Sequence, residues 1–275
     1  MSREIKRIGI TGGGGFIGQA AVKYAQGRGL EVVTFDRPEY DILGRLDALN
    51  DVDSIIHLAG VLGTAELFDT AELAVEVNVK GTLRILEHCA ARGIGYVGIT
   101  MPPVFQSVYT ATKVCADRLA TAWHLSKGLR TSRVRAFNAY GPGQKHGPGH
   151  PQKILPTFAT EAWAGRPIPI WGDGLQGVDL VHADDLGRML VEACWFGNDE
   201  VFDGGTAKPL SVLDVANHVL KVTGSTAGVQ HLAMRAGEVP TKIVASGDGW
   251  DALGWKPMHS WDRVTECVMA YKPKE

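Results

Sequence analysis

The stretch GITMPPVFQSVYTATK, residues 98–113, holds a tyrosine and a lysine four positions apart, Tyr109 and Lys113, with a hydroxyl, Thr100, nine residues before the tyrosine. A phenol is a poor base at neutral pH because its unperturbed pKa is near ~10. Residues i and i+4 share one helix face, so Lys113 can stabilise the phenolate of Tyr109 and lower that value. Thr100 closes an apolar run that reads as a strand. Its hydroxyl is expected at the carboxyl edge of a sheet, where open α/β folds place their ligands, ready to donate a hydrogen bond to a reacting oxygen. Such a trio moves a proton on and off a substrate oxygen. Tyr-x-x-x-Lys also arises by chance, so the elements around it must decide.

Those elements alternate. RIGIT (7–11), EVVTF (31–35), SIIHLA (54–59), GYVGIT (95–100) and TSRVRAF (131–137) read as strands. Amphipathic segments between them, FIGQAAVKYAQGRG, AELAVEVNVKGTLRILEHCAARG and YTATKVCADRLATAWHLSKG, read as helices. Repeated βα order implies an α/β fold with a parallel sheet covered on both faces. Past about residue 140 the pattern changes to a Gly/Pro/His loop, GPGQKHGPGHP, and then to helices and short strands, among them PIPIW, VFDGG and VQHLA. The expected division is a dinucleotide-binding domain over 1–140, rejoined by 178–205, and a smaller mixed α/β lobe over most of 141–275. VDLVHADDLGRMLVEACWF is the segment expected to return to the main sheet.

TGGGGFIG follows the first strand and opens the first helix. Gly12, Gly15 and Gly18 give the turn, the close approach to a pyrophosphate and the tight helix–strand packing that a dinucleotide needs. The helix N-terminus adds partial positive charge for the phosphates. Asp36 ends the second strand, eighteen residues beyond Gly18. A carboxylate there accepts ribose hydroxyls and repels a 2′-phosphate, which favours NAD. Arg37 beside it is the residue that could hold a 2′-phosphate and admit NADP instead.

On TGGGGFIG, DSIIHLAGV, NVKGTLRILEHC, YTATK, RVRAFNAYGPGQ, PIPIWGDGLQGVDLVHADDL and RAGEVP, the chain resembles the extended short-chain dehydrogenase/reductase family, in its NAD-dependent epimerase/dehydratase branch. The resemblance spans nearly the whole chain and implies a Rossmann-like doubly wound sheet with a C-terminal substrate lobe. It implies that Gly12, Gly15, Phe16, Ile17 and Gly18 line the pyrophosphate and that Asp36 holds the adenosine ribose. Asp41 and Ile42 would border the adenine. Leu58, Ala59 and Gly60 would flank the middle of the cofactor, Asn78 would brace the sheet beside the nicotinamide, and Phe137 would touch it. Thr100, Tyr109 and Lys113 would be the catalytic trio, with Met101, Asn138 and Arg235 at the substrate. The resemblance also implies a nucleotide-sugar substrate and a homodimer paired through the helices at 66–91 and 109–127.

Three departures stand out. Val178 occupies the place of a phosphate-binding arginine. Met101 and Pro102 follow Thr100 where dehydratases carry Asp-Glu, so no acid is present there to eliminate a hydroxyl. The segment from Thr100 to Tyr109 is shorter than the family pattern, and Phe105 within it is expected to pack near the sugar. GQKHGPGHP is the segment expected to close the pocket in its place. The expected activity is therefore NAD-dependent epimerisation of a nucleotide sugar through a keto intermediate. A keto-sugar reductase or dehydrogenase would use the same trio. A non-catalytic dinucleotide sensor is the reading to adopt if Thr100 and Tyr109 fail to converge.

Bulk properties narrow the partners. With 21% charged residues and a net charge of −2 over 275 residues, there is no basic footprint for nucleic acid or anionic membrane. Cys89, Cys115, Cys194 and Cys267 lack metal-ligand spacing, and His146 and His150 fall in a glycine-rich loop, so no metal is expected. The opening MSREIKRIGITGG shows neither a leader nor a spanning run, and a cytoplasmic setting is expected.

Overall fold

The computed structural model describes residues 4–63, 66–102, 106–147, 150, 152–235, 238–240, 242–258 and 260–273. The first half runs β1 (Arg7–Thr11), α1 (Phe16–Gly27), β2 (Glu31–Phe35), β3 (Ser54–His57), α2 (Ala71–Ala74), a π-helical turn (Val75–Gly81), α3 (Thr82–Arg92), β4 (Gly95–Thr100), α4 (Val108–Lys127) and β5 (Thr131–Ala136). It continues with β6 (Asn138–Tyr140), α5 (Ile154–Trp163), β7 (Ile168–Trp171), β8 (Gly177–Val178), β9 (Leu180–His182), α6 (Ala183–Glu192) and β10 (Asn198–Gly204). The remainder is β11 (Leu210–Ser211), α7 (Val212–Thr223), β12 (Val229–Leu232), α8 (Trp250–Leu253) and α9 (Trp261–Ala270).

Six strands form the main sheet in the order β10-β5-β4-β3-β1-β2, and every pair is parallel. The register puts Thr11 beside His57, His57 beside Gly98 and Gly98 beside Arg133. The chain reverses its direction of progress between β1 and β3, which opens a crevice at their carboxyl ends. Strand alternation serves both faces. Ile8, Ile10 and Ile56 pack with Ala21, Leu186 and Leu190 of α1 and α6, while Ile55 packs with Ile85, Leu86 and Cys89 of α3.

A separate core joins Leu155 and Phe158 of α5, Ile168 and Ile170 of β7, Val215 and Val219 of α7, and Val264 and Cys267 of α9. The return to the main sheet falls within the expected segment 178–205, though through its later part rather than through VDLVH. VDLVH supplies β9, which pairs with β6, whereas the strand that rejoins the sheet is β10, containing VFDG. The short run Leu180–His182 is better served by pairing beside β6 than by extending a sheet whose edge β5 is already met by the longer β10.

Asp179 clamps the two regions. Its carboxylate accepts the Thr206 amide and hydroxyl at 2.7 and 2.5 Å and the Ala207 and Ala245 amides at 3.0 Å each. Its carbonyl accepts the Asn138 amide at 3.0 Å. The side chain is fully buried, so these donors have no water to fall back on. Replacing Asp179 with alanine is expected to destabilise the fold by about 3 kcal/mol, because several donors are orphaned together. Urea unfolding followed by circular dichroism measures it, and an unchanged midpoint would refute the clamp.

Candidate active site

The crevice is a cavity of about 1330 Å³. That exceeds the roughly 300–1,000 Å³ of a site for one small molecule and suits a dinucleotide with a second ligand. The glycine loop forms its floor. Gly12 has φ +74, and a Cβ there would lie 2.8 Å from the Ala59 nitrogen; at Gly18 a Cβ would lie 2.0 Å from the Gly12 carbonyl oxygen. Only glycine permits this approach of loop, helix and the β3 exit. Gly14, Gly15, Phe16 and Ile17 line the cavity at the start of α1, which has no acidic residue in its first turn. Its partial positive charge is left for an anion. Asp36 lines the same wall and accepts the Gly14 amide at 3.1 Å. These residues fit a bound dinucleotide.

Beneath the floor runs a chain of buried polar groups. The Thr82 hydroxyl donates to the Asn78 carbonyl at 2.7 Å, so it can only accept from His57 Nε2, 3.1 Å away. His57 Nδ1 is then an acceptor, facing the Thr11 hydroxyl at 2.7 Å, and that hydroxyl accepts the Ala59 amide at 3.2 Å. Burial, with Lys113 nearby, lowers the His57 pKa to about 3, so the ring stays neutral in this tautomer. Asn78 continues the chain. Its Oδ1 accepts the Val61 amide at 2.8 Å, and its Nδ2 donates to the Val61 carbonyl and to Thr112 Oγ1, both at 3.1 Å. Thr112 donates in turn to the Tyr109 carbonyl at 2.9 Å. Asn78 sits in the π-helical turn, a device common at functional sites.

Tyr109 and Lys113 both line the cavity, at the start of α4. Ser107 caps that helix in a reciprocal box with Thr110, at 3.1 and 2.7 Å, which fixes where the first turn begins. Burial raises the Tyr109 pKa to about 12 and lowers that of Lys113 to about 8. Each group resists charging alone at this wall, and a phenolate and an ammonium placed there favour one another.

Most residues expected at the site line the cavity. They include Leu58, Ala59, Gly60, Asn78, Met101, Phe137, Asn138 and Arg235 besides those above. Four do not. Thr100 is buried, and the cavity is lined instead by its neighbours Ile99 and Met101. Side chains alternate along a strand, and the β4 exit lines the cavity with Ile99 and Met101. Arg37 is exposed off the wall. Asp41 bonds the Leu43 amide, and Ile42 is buried in the core under Phe35. Phe105 lies outside the described residues. Arg235 is held by Glu238 at 2.8 Å through Nε and stacks 4.9 Å over Trp171, so its charge is partly answered within the wall.

Further residues reach the cavity, among them parts of the loop GQKHGPGHP that was expected to close the pocket. Gly141–Lys145 and His150 of the Gly/Pro/His loop line it. The Tyr271 hydroxyl pins this loop by donating to the Gln144 carbonyl at 3.0 Å. Lys153, at the N-cap of α5, and Leu62, past the β3 exit, line it too. Lys153 immediately before ILP was a visible signal, since a lysine is a poor cap unless its charge is used. Among the described residues no helix is long and apolar enough to cross a membrane.

The profile of the NAD-dependent epimerase/dehydratase family matches residues 8–100 and 98–202. A dTDP-glucose 4,6-dehydratase of Streptomyces niveus is 28% identical, over 97% of this chain and 93% of its own length. A UDP-glucuronate 4-epimerase of Thermodesulfobacterium geofontis is 27% identical, over 75% of this chain and 68% of its own. Among solved structures, the UDP-glucose 4-epimerase of Thermotoga maritima with UDP-glucose superposes with a TM-score of 0.85 at 22% identity, covering 97% of this chain and 98% of that one. The UDP-glucuronic acid 4-epimerase of Bacillus cereus, in complex with UDP-glucuronic acid and NAD, gives 0.85 at 22%, covering 97% and 99%. These two show likeness of fold.

The position of Asp36 sets the expected cofactor preference. Calorimetry is expected to show NAD binding at least about tenfold more tightly than NADP, with the gap narrowing in Asp36→Ala. Tighter binding of NADP would mean that Arg37 governs the site.

Proposed function

This chain belongs to the NAD-dependent epimerase/dehydratase family, and from that premise we propose that it epimerises a nucleotide sugar. NAD, when bound, supplies the acceptor and later the donor of hydride. Tyr109 Oη takes the proton of the sugar hydroxyl being oxidised and returns it when the keto sugar is reduced on its other face. Lys113 Nζ stabilises the phenolate between the two steps. The observation that carries this reading is the placing of Tyr109 and Lys113 on one cavity wall with the glycine loop and Asp36.

Two alternatives weigh less. Elimination of water needs a proton donor at the wall after β4, and Met101 and Pro102 stand there. A protein that only senses the dinucleotide has no use for a tyrosine and a lysine kept together at the cavity. A keto-sugar reductase shares every residue of the proposed site. It would consume reduced cofactor stoichiometrically, whereas an epimerase consumes none.

Tyr109→Phe is expected to lower turnover by on the order of a hundredfold or more while NAD affinity stays nearly constant. Purified protein screened by mass spectrometry against nucleotide sugars supplies the assay. A phenylalanine variant with unchanged turnover would sink the assignment.

We further propose a homodimer. Phe68, Leu73 and Val75 are 64, 47 and 51% exposed, and Val114 and Leu125 of α4 are 47 and 76% exposed. Large apolar side chains left exposed on these helices suit an interface. Light scattering at micromolar concentration is expected to give twice the chain mass, and a monomer would refute the pairing.

A further inference from the structure

Tyr109, Lys113, Asp117 and Thr121 follow one another at i, i+4, i+8 and i+12 along α4, so the face that carries the tyrosine and lysine runs on into Asp117 and Thr121. Beyond the lysine this face meets a buried ion-pair cluster. Arg133 of β5, buried, donates through Nη1 to Asp117 Oδ1 at 3.1 Å and to Thr121 Oγ1 at 2.6 Å. Its Nη2 pairs with Asp199 Oδ2 at 2.8 Å. Asp199 is also bonded to the Thr131 and Thr121 hydroxyls, at 2.7 and 3.1 Å. Two carboxylates thus meet one guanidinium, and one negative charge is left to be balanced. Lys113, one turn before Asp117, is a cation placed to balance it. The other titratable groups around this part of α4 do not. His57 of β3 is neutral, and burial raises the Tyr96 phenol of β4, so it stays protonated. In the π-helical turn Lys80 is paired with Glu76. From α3, Arg84 donates to the Ile42 and Gly44 carbonyls and His88 meets the Leu49 carbonyl. Glu200 of β10 accepts the Gly197 and Asn198 amides, while Glu66, Asp69, Glu72 and Glu87 are exposed.

We infer that Asp117 is a positioning residue for the proton step, holding Lys113 in its ammonium form through the field of a carboxylate one helical turn away. This rests on the reading of Tyr109 and Lys113 as the groups that move the proton. Burial works against the ammonium and lowers its pKa to about 8, and Asp117 is the charge that opposes the fall. Asp117 does not line the cavity, so it acts through Lys113 and not on cofactor or sugar. As pH rises through the lysine value the ammonium is lost, and the phenolate loses its support, so activity falls on the alkaline side. Removing the charge of Asp117 brings that loss to lower pH. Arg133 ties the carboxylate to β5 and answers part of its charge, so Lys113 feels a shared carboxylate rather than a free one.

The test is the titration of Lys113 in the full chain, read from the Cε resonance of isotopically labelled lysine and assigned by its loss in Lys113→Met. Asp117→Asn keeps an oxygen for Arg133 and removes only the charge. Its Lys113 midpoint is expected about one pH unit below that of the parent chain, the low end for an opposite charge nearby because Arg133 shares the carboxylate. The alkaline limb of kcat/KM, measured on a nucleotide sugar that the chain turns over, is expected to move down with it. Asp117→Glu, which keeps the charge, is expected to restore both. Asp199→Asn is the control. It takes a charge from the other nitrogen of the same arginine, at a residue with φ 63 that asparagine tolerates, and is expected to move Lys113 by less than half as much. Asp117→Ser, which admits water at a side chain already 21% exposed, gives the same reading should the asparagine variant fail to fold. An unmoved midpoint without the Asp117 charge, or an equal shift in Asp199→Asn, overturns the inference. The resonance is read without substrate. A chain that turns over no nucleotide sugar would therefore sink the functional reading, while the midpoint still decides on Asp117.

Discussion

The site depends on one buried chain of hydrogen bonds, from Thr11 through His57 and Thr82 to Asn78 and Thr112. It begins at the strand that leads into the glycine loop and ends on the helix that carries Tyr109 and Lys113. Each member has its partners only in one arrangement of donors and acceptors. An imidazolium at His57 would force the Thr11 hydroxyl to turn from donor to acceptor, and burial keeps the ring neutral. A fully satisfied buried network is costly to rearrange, so it holds strand, loop and helix in one geometry. The π-helical turn is what brings Asn78 into the chain, since the widened turn presents its side chain to Val61 and Thr112 at once.

That geometry explains why Tyr109 keeps its place although the segment before it is short. α4 is located from below by Asn78 and Thr112 and at its start by the Ser107 box. The β4 exit is located separately, by pairing with β3 and β5. Shortening the link between the two elements therefore leaves the tyrosine and lysine intact. What the β4 exit adds to the cavity lining is then a question of strand phase, and the lining there is Ile99, Met101 and Pro102.

The substrate side is held by a different anchor. Asp179 joins the β8–β9 corner to the loop after β10 and to Asn138, and Arg263 of α9 pairs with Asp184 and Asp185 of α6, so the smaller core of α5, β7, α7 and α9 is tied to the sheet edge. Val178, next to it, is buried against that core. A side chain that completes an apolar cluster cannot also carry a phosphate. Charge on this side comes instead from Lys153 and from Arg235, the latter already shared with Glu238.

Much of this was written in the sequence. The βα alternation, the glycine spacing and Asp36 each depend on residues close in the chain, and local periodicity reports them directly. So does the i, i+4 relation of Tyr109 and Lys113. Three matters were settled only by tertiary structure. Whether Thr100 or Met101 faces the cavity depends on the phase of β4 against its neighbours, and a slip of one residue exchanges the faces. Asp41 and Ile42 were matched by motif, yet Asp41 is taken up by a local turn and Ile42 by the core. The place of Leu62 at the cavity and the pinning of the loop by Tyr271 arise from contacts between segments far apart in sequence, which no pattern along the chain records. Sequence determined the kind of machine, because that chemistry needs particular residues at short spacings. Tertiary structure decided what the machine faces, because a cavity wall is made of side chains whose direction is set by their neighbours in space.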